Sequence, residues 1–231
     1  MGAVVTGASS GVGRAIAARL AADGAAVCLV GRDEQRLREA AAEAEGSLTC
    51  RADLTEDRGV EAVAETAQRE LPGVDVLVHA AAIIETGPLE SASLADFDAQ
   101  YQANVRAPYA LTQALLDRLR EREGQIVFIN STAGARAAGG SGQYAASKHG
   151  LRAIADSLRE EVNADRLRVL TVLLGRTATP MQAALHDAEG RPYRPDLLIQ
   201  PADVAAMVAA VLALPRTTEV TEIRLRPLAK T

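Results

Sequence analysis

Short apolar runs alternate along the chain with longer stretches in which apolar residues recur every three or four positions. The runs at 3–6, 26–30, 47–50, 74–78, 125–130, 167–173 and 220–226 predict seven strands. The periodic stretches at 12–22, 33–44, 57–70, 96–122, 142–163 and 201–214 predict helices between them, with Pro108 breaking or kinking the fourth. A run as apolar as Val74-Asp75-Val76-Leu77-Val78 suits a strand covered on both faces, and strand-helix alternation requires parallel pairing through right-handed crossovers. The pattern therefore predicts an α/β fold: one doubly wound domain spanning 1–231, with a mostly parallel seven-stranded sheet and helices on both faces. The segment 179–200 lacks this periodicity. It offers Ala183-Ala184-Leu185 as a short helical piece, then Gly190, Pro192 and Pro195 as breakers, and reads as a lid over a ligand.

Composition narrows the function classes. With 48% hydrophobic and 24% charged residues the chain is an ordinary folded protein rather than a disordered one, and no apolar run is long enough to span a bilayer. The net charge of −5, with scattered basic residues, excludes the usual footprint of a nucleic-acid binder. Met1 leads directly into the first strand without a basic and apolar leader, so a cytoplasmic protein is expected. Cys28 and Cys50 lie in or beside apolar runs and read as core thiols; two are too few for a disulfide scaffold or a four-ligand zinc site, and no metal site is expected. The 25 basic side chains include only two lysines, Lys148 and Lys230, so a special need for an ammonium is expected where lysine is kept.

Three constellations suggest chemistry. The first strand runs into Thr6-Gly7-Ala8-Ser9-Ser10-Gly11-Val12-Gly13 and then a helix, a turn that lets backbone and a helix N-terminus approach a pyrophosphate. After the second strand comes Gly31-Arg32-Asp33. Asp33 suits a helix N-cap, which leaves Arg32 to meet a 2′-phosphate; the alternative is Asp33 as the acid for a 2′-hydroxyl. In Tyr144-Ala145-Ala146-Ser147-Lys148 the phenol and ammonium project from one helical face, where the ammonium is expected to lower the phenol's pKa towards working pH. Ser131 follows the fifth strand thirteen residues before Tyr144. Asn104, mid-helix by pattern, reads on its own as facing solvent.

These motifs together resemble the short-chain dehydrogenase/reductase family over essentially the whole chain. They match its T-G-x-x-x-G-x-G loop and its Ser, Tyr and Lys at their usual separations. The resemblance implies a Rossmann-type fold and an NADP(H)-dependent oxidoreductase, with Asn104, Ser131, Tyr144 and Lys148 as catalytic tetrad and Asn104 acting through a water relay. It further implies cofactor contacts from Gly7, Ser9, Ser10, Gly11, Val12 and Gly13 at the phosphates. Arg32, Asp53 and Leu54 would meet the adenosine; Ala80, Ala81, Gly175, Thr177 and Thr179, with Tyr144 and Lys148, would meet the nicotinamide end. A small carbonyl or alcohol substrate and a homodimer or homotetramer are expected, with neither nucleic acid nor membrane as partner.

Two departures stand out. Where the family has Asn-Asn-Ala-Gly the chain has His79-Ala80-Ala81-Ala82, so His79 is expected to be a structural substitute; where it has Pro-Gly the chain has Leu174-Gly175. Competing readings are a nucleotide-binding regulator without turnover and an NAD-dependent alcohol dehydrogenase. Arg136, Arg191 and Arg194 raise an anionic substrate but read as solvated in so arginine-rich a chain.

Overall fold

The computed structural model describes residues 1–229; Lys230 lies outside them. Seven strands, β1 (Gly2–Thr6), β2 (Ala26–Gly31), β3 (Leu48–Arg51), β4 (Val76–His79), β5 (Gln125–Ser131), β6 (Arg168–Leu174) and β7 (Glu222–Leu225), form one sheet in the order β3-β2-β1-β4-β5-β6-β7. Every pairing is parallel, where the pattern predicted mostly parallel. Helices α1 (Gly11–Ala22), α2 (Glu34–Glu43) and α8 (Pro201–Leu212) cover one face; α3 (Asp57–Glu70), α5 (Ala107–Arg120) and α6 (Gly142–Val162) cover the other.

Strand alternation divides the core accordingly. In β1, Val4 joins the α3/α5/α6 side while Ala3 and Val5 join the α1/α2/α8 side; in β5, Phe128 and Ile126 face one way and Val127 and Ile129 the other. Cys28 and Cys50 are buried free thiols, as expected of core residues. Burial pushes the Cys28 thiol up to about 12, with Cys50 adding to the effect, which leaves it unreactive near neutral pH.

The structure corrects the predicted helix at 96–122. It is two helices, α4 (Leu94–Tyr101) and α5, joined by a five-residue π turn, Gln102–Arg106. Pro108 sits in the first turn of α5 and has no N–H to offer the carbonyl of Asn104 four residues back, so the α-type ladder has no bond to make there. The segment 179–200 contains a further helix, α7 (Pro180–Ala188), capped by the Thr179 hydroxyl on the Gln182 N–H (3.2 Å), and a single 3₁₀ turn, Pro195–Leu197. No helix among the described residues is long and apolar enough to cross a membrane.

His79 ends β4 in the interior. Its Nε2 lies 2.8 Å from the Thr112 hydroxyl on α5, and its ring stacks on Phe128 at 4.9 Å. Burial pushes its pKa down to about 3, so the folded protein holds it neutral. The unfolded chain binds a proton near pH 6.5 that the folded chain refuses, so His79 makes stability fall as pH drops from 6.5 towards 3. At pH 5 the loss from this residue is about 2 kcal/mol relative to neutral pH. Urea unfolding of wild type and His79→Asn at both pH values measures it: the variant should lack that part of the slope, and equal slopes would show that His79 is charged or solvated in the fold.

Candidate active site

The strand order reverses between β1 and β4, and a cleft of about 820 Å³ opens there, at the carboxyl ends of the strands. Every residue expected to meet the cofactor lines it, as do Ser131, Tyr144 and Lys148; Asn104 does not.

The loop after β1 is shaped by contacts that larger residues would break. Gly7 has φ +65°, and a methyl group on it would lie 2.8 Å from the Ala81 N. A methyl on Gly13 would lie 2.4 Å from the Gly7 carbonyl oxygen, so α1 packs directly on the turn that precedes it. Thr6 locks this loop to the end of β4: its hydroxyl donates to the Val78 carbonyl (3.3 Å) and accepts from the Ala80 and Ala81 N–H groups (3.0 and 3.1 Å). Sequence reasoning used Thr6 only as part of the loop motif and missed this bolt. Ser10 occupies the N-cap of α1 in extended geometry, but its side chain caps nothing and the first turn holds no acidic residue. The leading N–H groups and the positive end of the helix dipole are thus left for an anion in the cleft, and the residues present fit a pyrophosphate.

At the next strand end, Asp33 is the N-cap of α2: its Oδ1 accepts from the Arg36 N–H at 3.0 Å and its Oδ2 lies 3.5 Å from Arg36 Nε. Arg32 is exposed and makes no ion pair among the described residues. Asp53 lies across from it. Burial works to raise its pKa, but the Thr55 hydroxyl and N–H (2.7 and 3.0 Å), aided by the charges of Arg32 and Arg58, hold the carboxylate below its ordinary range.

Tyr144 and Lys148 lie one turn apart on α6, with the Lys148 Nζ 5.9 Å from the phenol ring centroid. Their helix is tied to the end of β5 by Asn130, whose amide donates to the Lys148 carbonyl (3.0 Å) and whose Oδ1 accepts from the Ser131 N–H (2.7 Å). Lys148 is 2% exposed, and Nζ donates to the Ile129 carbonyl (3.3 Å). Burial pushes it down to about 8. The Tyr144 phenol is pushed up to about 12 by desolvation, against the pull of the neighbouring Ser131 hydroxyl. This corrects the expectation that the ammonium would lower the phenol's pKa: at nearly 6 Å from the ring its field does not offset the loss of water. Without further charge in the cleft, Tyr144 is a phenol at neutral pH.

Asn104 is fully buried, contrary to its solvent-facing reading. Carried inward by the π turn, its Oδ1 accepts from the Ile83 N–H (2.9 Å), and its amide donates to the Ile83 carbonyl (2.9 Å) and the Ser147 hydroxyl (3.0 Å). Ser147 in turn donates to the Tyr144 carbonyl at 2.8 Å. The side chain is thus a clamp between the loop after β4 and the helix that carries the phenol.

Beyond β6, Thr177 donates to the Gly175 carbonyl (3.0 Å), and Thr179 packs beside Gly11. His186, read as a lid residue, is buried: its Nδ1 lies 2.8 Å from the Gln182 carbonyl and its Nε2 3.3 Å from Arg176. Arg176 also pairs with both carboxylate oxygens of Glu189. No feature of the sequence singled out Arg176, which reads as one arginine among many. Among the described residues no group of His, Cys, Asp or Glu is placed to hold a metal.

A family model described as short chain dehydrogenase matches residues 2–190. The chain is 33% identical over 235 residues to the glycine betaine reductase ATRR of Emericella nidulans, a match that covers 97% of this chain but 18% of that much longer protein. It is 28% identical over 228 residues to an uncharacterized oxidoreductase of Staphylococcus epidermidis, covering 98% and 96% of the two chains. Among solved structures, an alcohol dehydrogenase from the archaeon Thermococcus sibiricus, complexed with 5-hydroxy-NADP, superposes with a TM-score of 0.90 at 27% identity, over 100% of this chain and 97% of that one.

Replacing Asn104 by Ala removes the partner of the N–H and carbonyl of Ile83, a half-buried residue on the cleft wall. The expected loss is about 1–3 kcal/mol in urea unfolding, a cost set by two polar groups that water reaches only in part. A loss below about 0.5 kcal/mol would show that water replaces the amide freely.

Proposed function

Given that the chain belongs to the short-chain dehydrogenase family, we propose that it is an NADP(H)-dependent oxidoreductase interconverting a carbonyl and a secondary alcohol, with Tyr144 as general acid and base. The observation that carries this reading is the Tyr144–Lys148 pair beside Ser131, in the same cleft as an uncapped helix N-terminus. Bound nicotinamide supplies or accepts the hydride. The chain's own groups handle the oxygen. Ser131 orients it by a hydrogen bond, and Tyr144, held as a phenol, gives it a proton in reduction and takes that proton back in oxidation. The Lys148 ammonium stabilises the tyrosinate left behind, and Asn104 positions α6 without touching the substrate.

The cofactor contacts follow the cleft. These residues line the cleft: the backbone from Gly7 to Gly13, including Ser9, Ser10, Gly11 and Val12, would hold the pyrophosphate, Asp53 and Leu54 would meet the adenine, and Ala80, Ala81, Gly175, Thr177 and Thr179 would surround the nicotinamide end. The choice of NADP(H) is supported by Arg32, which has no ion-pair partner among the described residues, and by Asp33, whose carboxylate is already committed to capping α2. The NAD-dependent alternative needs that carboxylate free. We read the segment 179–200 as the lid of a single catalytic domain, and a homodimer or homotetramer as its assembly.

Tyr144→Phe keeps the ring and deletes the proton: turnover of a ketone panel should fall about 10²–10⁴-fold while NADPH affinity changes little. Undiminished turnover would assign the acid to another group, and no turnover by wild type would favour a regulator. NADPH should bind the wild type about tenfold or more tightly than NADH, a difference of about 1.4 kcal/mol, and Arg32→Ala should erase most of it. Equal affinities measured by calorimetry in the wild type would transfer the selection to Asp33.

A further inference from the structure

The charged residues that line the cleft fall into two groups. Arg32, Asp33, Arg36 and Asp53 stand at the ends of β2 and β3, where an adenosine would lie. The other three are Lys148, on α6 with Tyr144, and Arg176 and Glu189, which flank α7. Lys148 is almost fully buried and faces the Ile129 carbonyl. Arg176 is engaged through both Nη groups: its Nη2 reaches Glu189 Oε1 and Oε2 at 3.1 and 2.9 Å, and its Nη1 lies 3.3 Å from the His186 ring, with the tautomer that donates from Nδ1 to the Gln182 carbonyl leaving Nε2 to accept. Glu189 is doubly held, since Arg191 also approaches its Oε2 at 3.3 Å. Beyond these, the cleft wall mixes apolar side chains, among them Ile83, Ile84, Met181 and Leu185, with uncharged polar ones, Thr86, Thr132, Ser141 and Gln182.

An anion entering this space loses its water and, among the described residues that line it there, meets no exposed unpaired cation: Lys148 is buried on the Ile129 carbonyl, and Arg176 is paired. The Arg176 guanidinium already holds both oxygens of a carboxylate on Nη2, and the incoming charge is repelled by that same carboxylate. A neutral molecule meets neither cost. The arginines that suggested an anionic substrate do not alter this, because Arg136, Arg191 and Arg194 do not line the cleft; Arg191 and Arg194 pair with Glu189 and Asp196.

We propose that the substrate is a neutral carbonyl compound or secondary alcohol, and that Glu189 masks Arg176 so as to exclude substrates that would set a carboxylate or phosphate against that wall of the cleft. This rests on the carbonyl–alcohol chemistry proposed above. Arg176 and Glu189 are specificity residues in this account and take no part in proton or hydride transfer.

The test uses matched ketones of one carbon skeleton ending in a primary amide or in a carboxylate, with the full-length protein and NADPH. Wild type should reduce the amide ketone with a kcat/KM about tenfold or more above that of the carboxylate ketone. Glu189→Gln uncovers the Arg176 cation and should move the ratio towards the carboxylate by about tenfold, and the double variant Arg176→Gln/Glu189→Gln should restore the neutral preference. A wild-type enzyme that reduces the carboxylate ketone as well as the amide overturns the proposal. So does an unchanged ratio in a Glu189→Gln variant whose circular dichroism matches wild type.

Calorimetry with unreactive analogues, in which a methylene replaces the ketone, separates this inference from the reading beneath it. If neither ketone is reduced but the amide analogue binds more tightly than the carboxylate, the substrate class stands and the proposed reaction fails. If the carboxylate analogue binds equally well or better, or neither binds, the substrate class fails.

Discussion

All seven strands run in one direction, so their carboxyl ends emerge along one edge of the sheet, and each chain exit leaves polar backbone there that the ladder cannot satisfy. The site is the solution to that constraint. Thr6 satisfies the N–H groups of Ala80 and Ala81, Asn130 satisfies the Ser131 N–H and the Lys148 carbonyl, and Asn104 satisfies both polar groups of Ile83. Each of these side chains bridges segments far apart in sequence. Together they hold the loops after β1, β4 and β5 against α6 before any ligand arrives, which is what a preorganised site requires.

Electrostatics then separates the two ends of the cleft. One end is open, with Arg32 exposed and a helix N-terminus left uncapped. The other is desolvated enough to push Lys148 down to about 8 and Tyr144 up to about 12. Both shifts come chiefly from burial and both favour the neutral forms, so the pair resists forming a tyrosinate unless the ammonium stays charged beside it. Arg176 and Glu189, whose side chains are 26% and 28% exposed, pair at the cleft wall, where each offsets part of the other's desolvation cost.

His79 shows how a departure from a family pattern is absorbed. A ring larger than asparagine fits at the end of β4 because Phe128 on β5 offers a face to stack on and Thr112 on α5 offers a hydroxyl. The sheet edge gains a titratable group that the fold keeps neutral. The adjacent loop keeps its place, because the Thr6 hydroxyl, and not the side chain at position 79, holds the Ala80 and Ala81 N–H groups.

Much of this was legible in the chain itself. Continuous apolar runs separated by three-and-four periodicity determined the strands, their parallel pairing and the helices on both faces, because burial on both faces leaves no other pattern. Glycines at 7, 11 and 13, and the four-residue spacing of Tyr144 and Lys148, determined the loop and the candidate chemistry, because steric and helical geometry act over a few residues. Asp33 as a cap was likewise a local matter. Only the tertiary structure decided the rest. Asn104 turned inward because Pro108 removes a ladder bond and Ile83, twenty-one residues away, needed a partner. The direction of the Tyr144 shift depended on how much water the fold removed, and the neutralisation of Arg176 depended on where α7 brought Glu189. Burial and charge pairing are sums over neighbours contributed by distant segments, and those neighbours exist only once the chain has folded.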